Sequence, residues 1–175
     1  MEEKRLERQQ VFAGKILDVY KDTVSLPNGN VATREVVEHA GAVAVLAIDE
    51  QGQIVMVRQY RYPMQEVMLE IPAGKLEANE EPLECAKREL EEETGYIAAN
   101  WEKIFSLYTS PGFANEVIHI FLARDLQYVG CNPDDDEFVE AFKASVEVTI
   151  EDINSGMIRD AKTVSAVLWW KSQLS

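Results

Sequence analysis

Apolar and polar positions alternate through much of the first forty residues. The stretch "VFAGKILDVYKDTVSL" runs to the turn signal "PNGN" (residues 27–30) and is answered by "VATREVVEH". Alternation on both sides of such a turn predicts a β-hairpin with its own small sheet. The pattern then changes. "GAVAVLAI" (residues 41–48) is apolar throughout, as a strand covered on both faces must be, and the turn "DEQGQ" separates it from a second strand, "IVMVRQY". A short strand, "VMLEIP", leads into a loop, "AGKLEANEE". Helical spacing follows: in "PLECAKRELEEET" Leu83, Ala86 and Leu90 fall on one stripe at 100° per residue. With Pro82 in the first turn and Gly95 just past the end, a helix over residues 82–94 is predicted. Two strands, "WEKIFSLYT" and "VIHIFLA", precede an acidic loop, "NPDDDE". The chain closes on helices, the last opening with Asp160 as N-cap of "DAKTVSAVLWWKSQL". The alternation lacks a regular βαβ rhythm, so the expected class is α/β, a mixed sheet flanked by helices.

Composition narrows the function classes. With 175 residues, 46% of them hydrophobic, the chain can bury a proper core. Residues 1–40 read as a β region of the same unit and residues 41–175 as the main domain. A formal net charge of −14 argues against binding nucleic acid by electrostatics alone, which requires basic patches. The N-terminal "MEEKRLERQQ" lacks the apolar core of a signal peptide, and "AGAVAVLAI" is far short of the roughly 20 residues that span a bilayer. Cys85 and Cys131 show no CxxC spacing, so neither a disulfide scaffold nor a zinc site is indicated. A cytoplasmic, soluble protein without a nucleic-acid or membrane partner is expected.

The helix end "RELEEETG" places four glutamates in five positions. Carboxylates in a last turn oppose the helix dipole by roughly 0.3–1 kcal/mol each, and like charges three and four apart repel. Arg88, paired with Glu92, and Lys87 are the cations near enough to help. Glu93 borders the core stripe, Glu89 lies about 40° further round and Glu92 about 60° beyond that. The three form one half-shielded acidic flank, whereas Glu91 points elsewhere, as a solvated face would. Oxygen-rich clusters of this kind suit hard divalent cations, Mg²⁺ or Mn²⁺, held by a few carboxylates and a substrate's phosphates.

From Gly74 the sequence reads "GKLEANEEPLECAKRELEEETGY", which resembles the Nudix box: Gly, five residues, Glu, seven residues, Arg-Glu-aliphatic, one residue, Glu-Glu, one residue, Gly-aliphatic. Gly74, Glu80, Arg88, Glu89, Leu90, Glu92, Glu93 and Gly95 fall on the pattern, and Tyr96 departs from it, an aromatic where an aliphatic residue is usual. The resemblance implies a Nudix-type α/β/α sandwich that hydrolyses a nucleoside diphosphate linked to another moiety. It implies that Glu89, Glu92 and Glu93 hold the metal together with the Ala73 carbonyl. Arg88 would orient a glutamate by a bidentate ion pair that lysine could not copy. Glu80 would support the loop or join the outer metal shell, and Gly74 would allow a tight turn from strand to loop.

Three further stretches, "VRQYRYP", "LEIPAGKLE" and "SPGFANE", resemble the bacterial ADP-ribose pyrophosphatase branch, in which a proline follows the box; Pro111 stands fifteen residues after Tyr96. This resemblance implies that ADP-ribose is hydrolysed to AMP and ribose 5-phosphate. GDP-mannose or another nucleotide sugar is the alternative substrate, and a catalytically silent ADP-ribose sensor the alternative role. Arg34 and Arg61 would hold phosphate or terminal ribose, Glu70 would accept from the ligand's polar groups, and Gly112 and Phe113 would wall the pocket. Arg58 and Arg61 equally describe an exposed strand face, and "SPGF" a plain turn. The general base implied is a glutamate on a late loop, Glu137 by position, with Glu140 and Asp136 in reserve; four consecutive acids equally describe a solvated loop. A homodimer formed through the N-terminal sheet is also implied, with Phe12 or Tyr20 stacking on adenine.

Overall fold

Two compact units make up the chain, Met1–Gly41 with Tyr108–Val117, and Ala42–Leu107 with Ile118–Ser175. The computed structural model describes residues 1–130 and 138–174. In the first unit, β1 (Lys4–Ala13), β2 (Leu17–Ser25) and β3 (Val31–His39) form an antiparallel sheet in that order. The predicted hairpin is β2–β3, with Ser25 opposite Val31 and Gly29 at φ 84° in the turn. The hairpin expectation is incomplete, because a third strand, β1, starts within the charged N-terminal stretch. Polar pairs hold it: Arg8 donates to both oxygens of Asp22 on β2 at 2.8 and 2.7 Å, bonds Glu38 on β3, and lays its guanidinium over the Tyr20 ring. Residues 108–117 run against β3, with the Val37 N–H donating to the Phe113 carbonyl at 2.7 Å.

In the second unit, β4 (Ala42–Ile48), β5 (Ile54–Arg61), β6 (Glu66–Glu70), β7 (Ala73–Lys75), β8 (Tyr96–Tyr108), β9 (Val117–Tyr128) and β10 (Val139–Ala144) surround the helix α1 (Pro82–Thr94), followed by α2 (Val146–Ser155) and α3 (Ala161–Gln173). Among the described residues the sheet order is β10-β5-β4-β9-β8, with β6 on β5 and β7 on β4. It is mixed, since β4 is parallel to β9 and antiparallel to β5 and β7.

The apolar run of β4 serves both layers. Val43, Val45 and Ala47 pack with Cys85, Ala86 and Leu90 of α1, while Ala44, Leu46 and Ile48 pack with Val146 of α2 and Ala166 and Val167 of α3. Successive side chains of a strand point to opposite faces, so helices on both sides require apolar residues at every position. The result is the expected α/β/α sandwich. α1 has the predicted bounds and ends at Gly95, whose left-handed φ of 72° lets its N–H reach the Glu91 carbonyl at 2.8 Å. Two local expectations change. The predicted loop after β6 contains β7, and β8 begins at Tyr96 rather than near residue 101. Among the described residues, no helix is long and apolar enough to cross a membrane.

Candidate active site

Helix α1 delivers the acidic flank, and β7 covers it. Glu93 is 3% exposed and Glu89 7%, with Glu92 part-buried, the order of burial that the helical angles predict. The flank is deeper than half-shielded because the β7 backbone lies on it. The Ala73 N–H donates to Glu93 Oε2 at 3.0 Å. A Cβ built on Gly74 would fall 1.8 Å from the Glu89 carboxylate. That corrects the expected reason for this glycine: it sits within β7, paired with Val43, without a left-handed φ, and it is there to let a carboxylate approach the backbone.

Arg88 is the hub of the cluster. Its Nε and Nη2 donate to the two oxygens of Glu80 at 3.0 and 3.1 Å, the bidentate pair expected of it. Its Nη1 donates to Glu89 at 2.8 Å and to Glu92 at 2.9 Å. Glu80 in turn accepts from the Glu77 N–H at 2.9 Å and so braces the loop before α1. The Arg88 hydrogen bonds outweigh burial and hold the Glu80 carboxyl down to about 2. Burial, aided by the Glu80 hydrogen bond, pushes the neighbouring Cys85 thiol up to about 12, which makes it an inert core residue.

A second charged group lies at the β5–β6 pair. Arg61 Nε and Nη2 donate to Glu70 Oε1 and Oε2 at 2.8 and 2.7 Å, and Lys162 of α3 bonds the same Oε2. Burial would raise the Glu70 carboxyl, but Arg61 and Lys162 outweigh it and hold it down to about 2. Sequence reasoning missed Lys162 and Thr163, having read "DAKT" only as a cap. The signal was present: their spacing to Ala166 and Val167 puts two polar residues on a helix stripe that is otherwise apolar.

The remaining candidates lie on other elements. Arg34, Gly112 and Phe113 belong to the first compact unit. Arg34 pairs with Glu3, Nε to Oε2 at 2.9 Å. Phe113 is exposed, and a Cβ on Gly112 would meet nothing within 4 Å. Phe12 is exposed, whereas Tyr20 lies under Arg8. Glu140 sits in β10 and accepts from Arg58 at 2.9 Å. Asp136 and Glu137 lie outside the described residues.

The donor chemistry of the flank fits a hard divalent cation: carboxylates, those of Glu89 and Glu93 buried, packed against a backbone segment. Among the described residues, no three His, Cys, Asp or Glu side chains are drawn together as a ready-made cage, and Arg88 is the cation seated among them.

Residues 38–167 match the NUDIX domain family. This chain belongs to that family. Ahead of the Nudix match, residues 3–37 match the nucleoside diphosphate sugar hydrolase N-terminal domain. The Nudix chain is 48% identical over 169 residues to the ADP-ribose pyrophosphatase of Bacillus subtilis (strain 168), covering 95% of this chain and 91% of that protein. It is 45% identical over 174 residues to the methanol dehydrogenase activator of Bacillus methanolicus, covering 98% and 94%. In fold it is similar to a solved structure described as an ADP compounds hydrolase, with a TM-score of 0.85 at 21% identity over 99% of this chain and 96% of that one. The resemblance drawn from the box and its flanks, to Nudix hydrolases of the ADP-ribose pyrophosphatase branch, is borne out.

Proposed function

We propose that this Nudix hydrolase is a Mg²⁺-dependent pyrophosphatase that converts ADP-ribose and water to AMP and ribose 5-phosphate, acting in the cytoplasm as a homodimer. The observation that carries the reading is the burial of Glu89 and Glu93 against the backbone of β7, with Gly74 left bare to admit the Glu89 carboxylate. A surface charge run needs no such room. Glu89, Glu92 and Glu93 would hold Mg²⁺ or Mn²⁺ together with the Ala73 carbonyl. A divalent cation bound there neutralises charge building on phosphate oxygens and makes water a better nucleophile.

The chain's own groups do the rest. Arg88 fixes the carboxylates through its fork on Glu80 and its contacts to Glu89 and Glu92. Arg61 offers the partly exposed side of its guanidinium to a phosphate or ribose, and Glu70, engaged by Arg61 and Lys162, serves as its mount. Water adds at one phosphorus, the bridging P–O bond breaks with its electron pair going to the leaving phosphate, and Glu137 takes the water's proton. Exposed Leu6, Val11, Phe12 and Ile16 on and beside β1 support pairing through the N-terminal sheet. A silent sensor would have no use for buried, mutually repelling glutamates. The test is the release of AMP and phosphosugar from ADP-ribose, GDP-mannose, NADH and diadenosine polyphosphates. ADP-ribose is expected to give the highest kcat/KM, and a higher value for GDP-mannose would reassign the substrate.

A further inference from the structure

The first turn of α3 holds a buried cation behind the Arg61–Glu70 pair. Lys162 is itself buried, and a lysine this deep persists only when its ammonium is paired. Its Nζ bonds Glu70 Oε2 and lies 3.0 Å from Asp160 Oδ1. The other Asp160 oxygen caps the helix, accepting from the Thr163 N–H at 3.0 Å and from the Thr163 hydroxyl at 2.5 Å. The Thr163 oxygen accepts in turn from the Ile71 N–H at 2.9 Å. Two tethers from one helical turn therefore hold consecutive residues, the Glu70 side chain and the Ile71 backbone. Two positions on, the Ala73 N–H meets Glu93.

Arg61 is mounted on this anchor. Its two bonds to Glu70 fix the plane of the guanidinium relative to the carboxylate, and the carboxylate cannot turn without breaking its contact to Lys162. Glu70 is almost fully buried, whereas the Arg61 side chain remains 39% exposed. Asp160 balances the Lys162 charge, so what the lysine gives Arg61 is orientation rather than surplus positive charge.

We propose that Lys162 is a positioning residue for an anionic group of the substrate, acting through Glu70 on Arg61. It locks the guanidinium plane in the orientation that meets that group. The inference rests on the pyrophosphatase reading, in which Arg61 meets a phosphate or the terminal ribose.

Steady-state kinetics with ADP-ribose and Mg²⁺ test it on K162M, K162R, R61A and R61A/K162M, each below its own Tm. K162M is expected to raise KM roughly tenfold to a hundredfold with a smaller change in kcat, and K162R to recover part of the loss. R61A/K162M should be no worse than R61A, because the lysine works through the arginine. A folded K162M with KM within twofold of wild type overturns the inference, as do losses that multiply in the double variant. Should K162M fail to fold, E70Q/K162M removes the buried charges together, and a wild-type KM there overturns it equally. A wild type that leaves ADP-ribose intact overturns both readings, whereas an active wild type with an unresponsive K162M overturns this one alone.

Discussion

Replacing Gly74 by alanine puts a methyl group where the Glu89 carboxylate lies. The added Cβ would fall 1.8 Å from Cδ, 1.8 Å from Oε1 and 2.3 Å from Oε2 of Glu89, against the roughly 3.5–4.0 Å at which non-bonded carbons rest. Either the carboxylate retreats by roughly 1.5–2 Å or β7 lifts from β4, where Gly74 pairs with Val43. Retreat breaks the 2.8 Å contact to Arg88. Overpacking of this kind costs about 1–3 kcal/mol, which at about 2–4 °C per kcal/mol in a chain of this size lowers Tm by several degrees. Displacing a group at the reacting centre by more than an ångström costs about a hundredfold in rate. Thermal unfolding and kcat/KM for ADP-ribose in Mg²⁺, measured on G74A in one buffer, read both effects. A variant with kcat/KM within threefold of wild type and an unchanged Tm refutes the close-approach account of this glycine.

Three further outcomes are expected. E93Q should abolish turnover while leaving the fold intact, since the amide oxygen can still accept from the Ala73 N–H; near-normal activity in Mg²⁺ sinks the metal assignment. E137Q should lower kcat by orders of magnitude with little change in metal affinity, and an unchanged kcat moves the base to Asp136 or Glu140. Glu70 titrates at about 2 in the folded chain against an ordinary 4.5, a difference of about 3 kcal/mol. Because the folded value is the lower one, this stability is present above pH 4.5 and is lost as pH falls through about 2. Urea unfolding of wild type and E70Q should show a constant gap from pH 7 to about 4.5 and a narrowing gap below, and a gap that ignores pH contradicts the pairing.

Hydrophobic periodicity made the covalently local features legible. The bounds of α1, its Gly95 stop, the two-faced β4 and the Asp160 cap all follow from patterns within a single element and its flanks. The same angular reasoning ranked the burial of Glu93, Glu89 and Glu92 correctly. It underestimated the depth, because the segment that covers the flank comes from β7, and nothing in the helix itself records it. β1 escaped for a different reason: it is exposed along its length except at Arg8 and is tied down by that residue's bonds to Asp22 and Glu38 rather than by an apolar face, so no alternation marks it. The Arg61–Glu70–Lys162 group was likewise invisible as a group. Its members come from β5, β6 and α3, and only the packing of α3 on the sheet brings residue 162 to residue 70. Arg61 and Glu70 were found through family resemblance, and their bond to each other needed the fold.

The central claim is hydrolysis of ADP-ribose at a carboxylate-held divalent site. Its most direct test is the ³¹P spectrum of ADP-ribose incubated with the wild-type protein in Mg²⁺ and, in parallel, in EDTA. The account predicts AMP and ribose 5-phosphate in equal amounts with Mg²⁺ and an intact pyrophosphate in EDTA. A pyrophosphate that survives in Mg²⁺, or that is cleaved equally in EDTA, contradicts it.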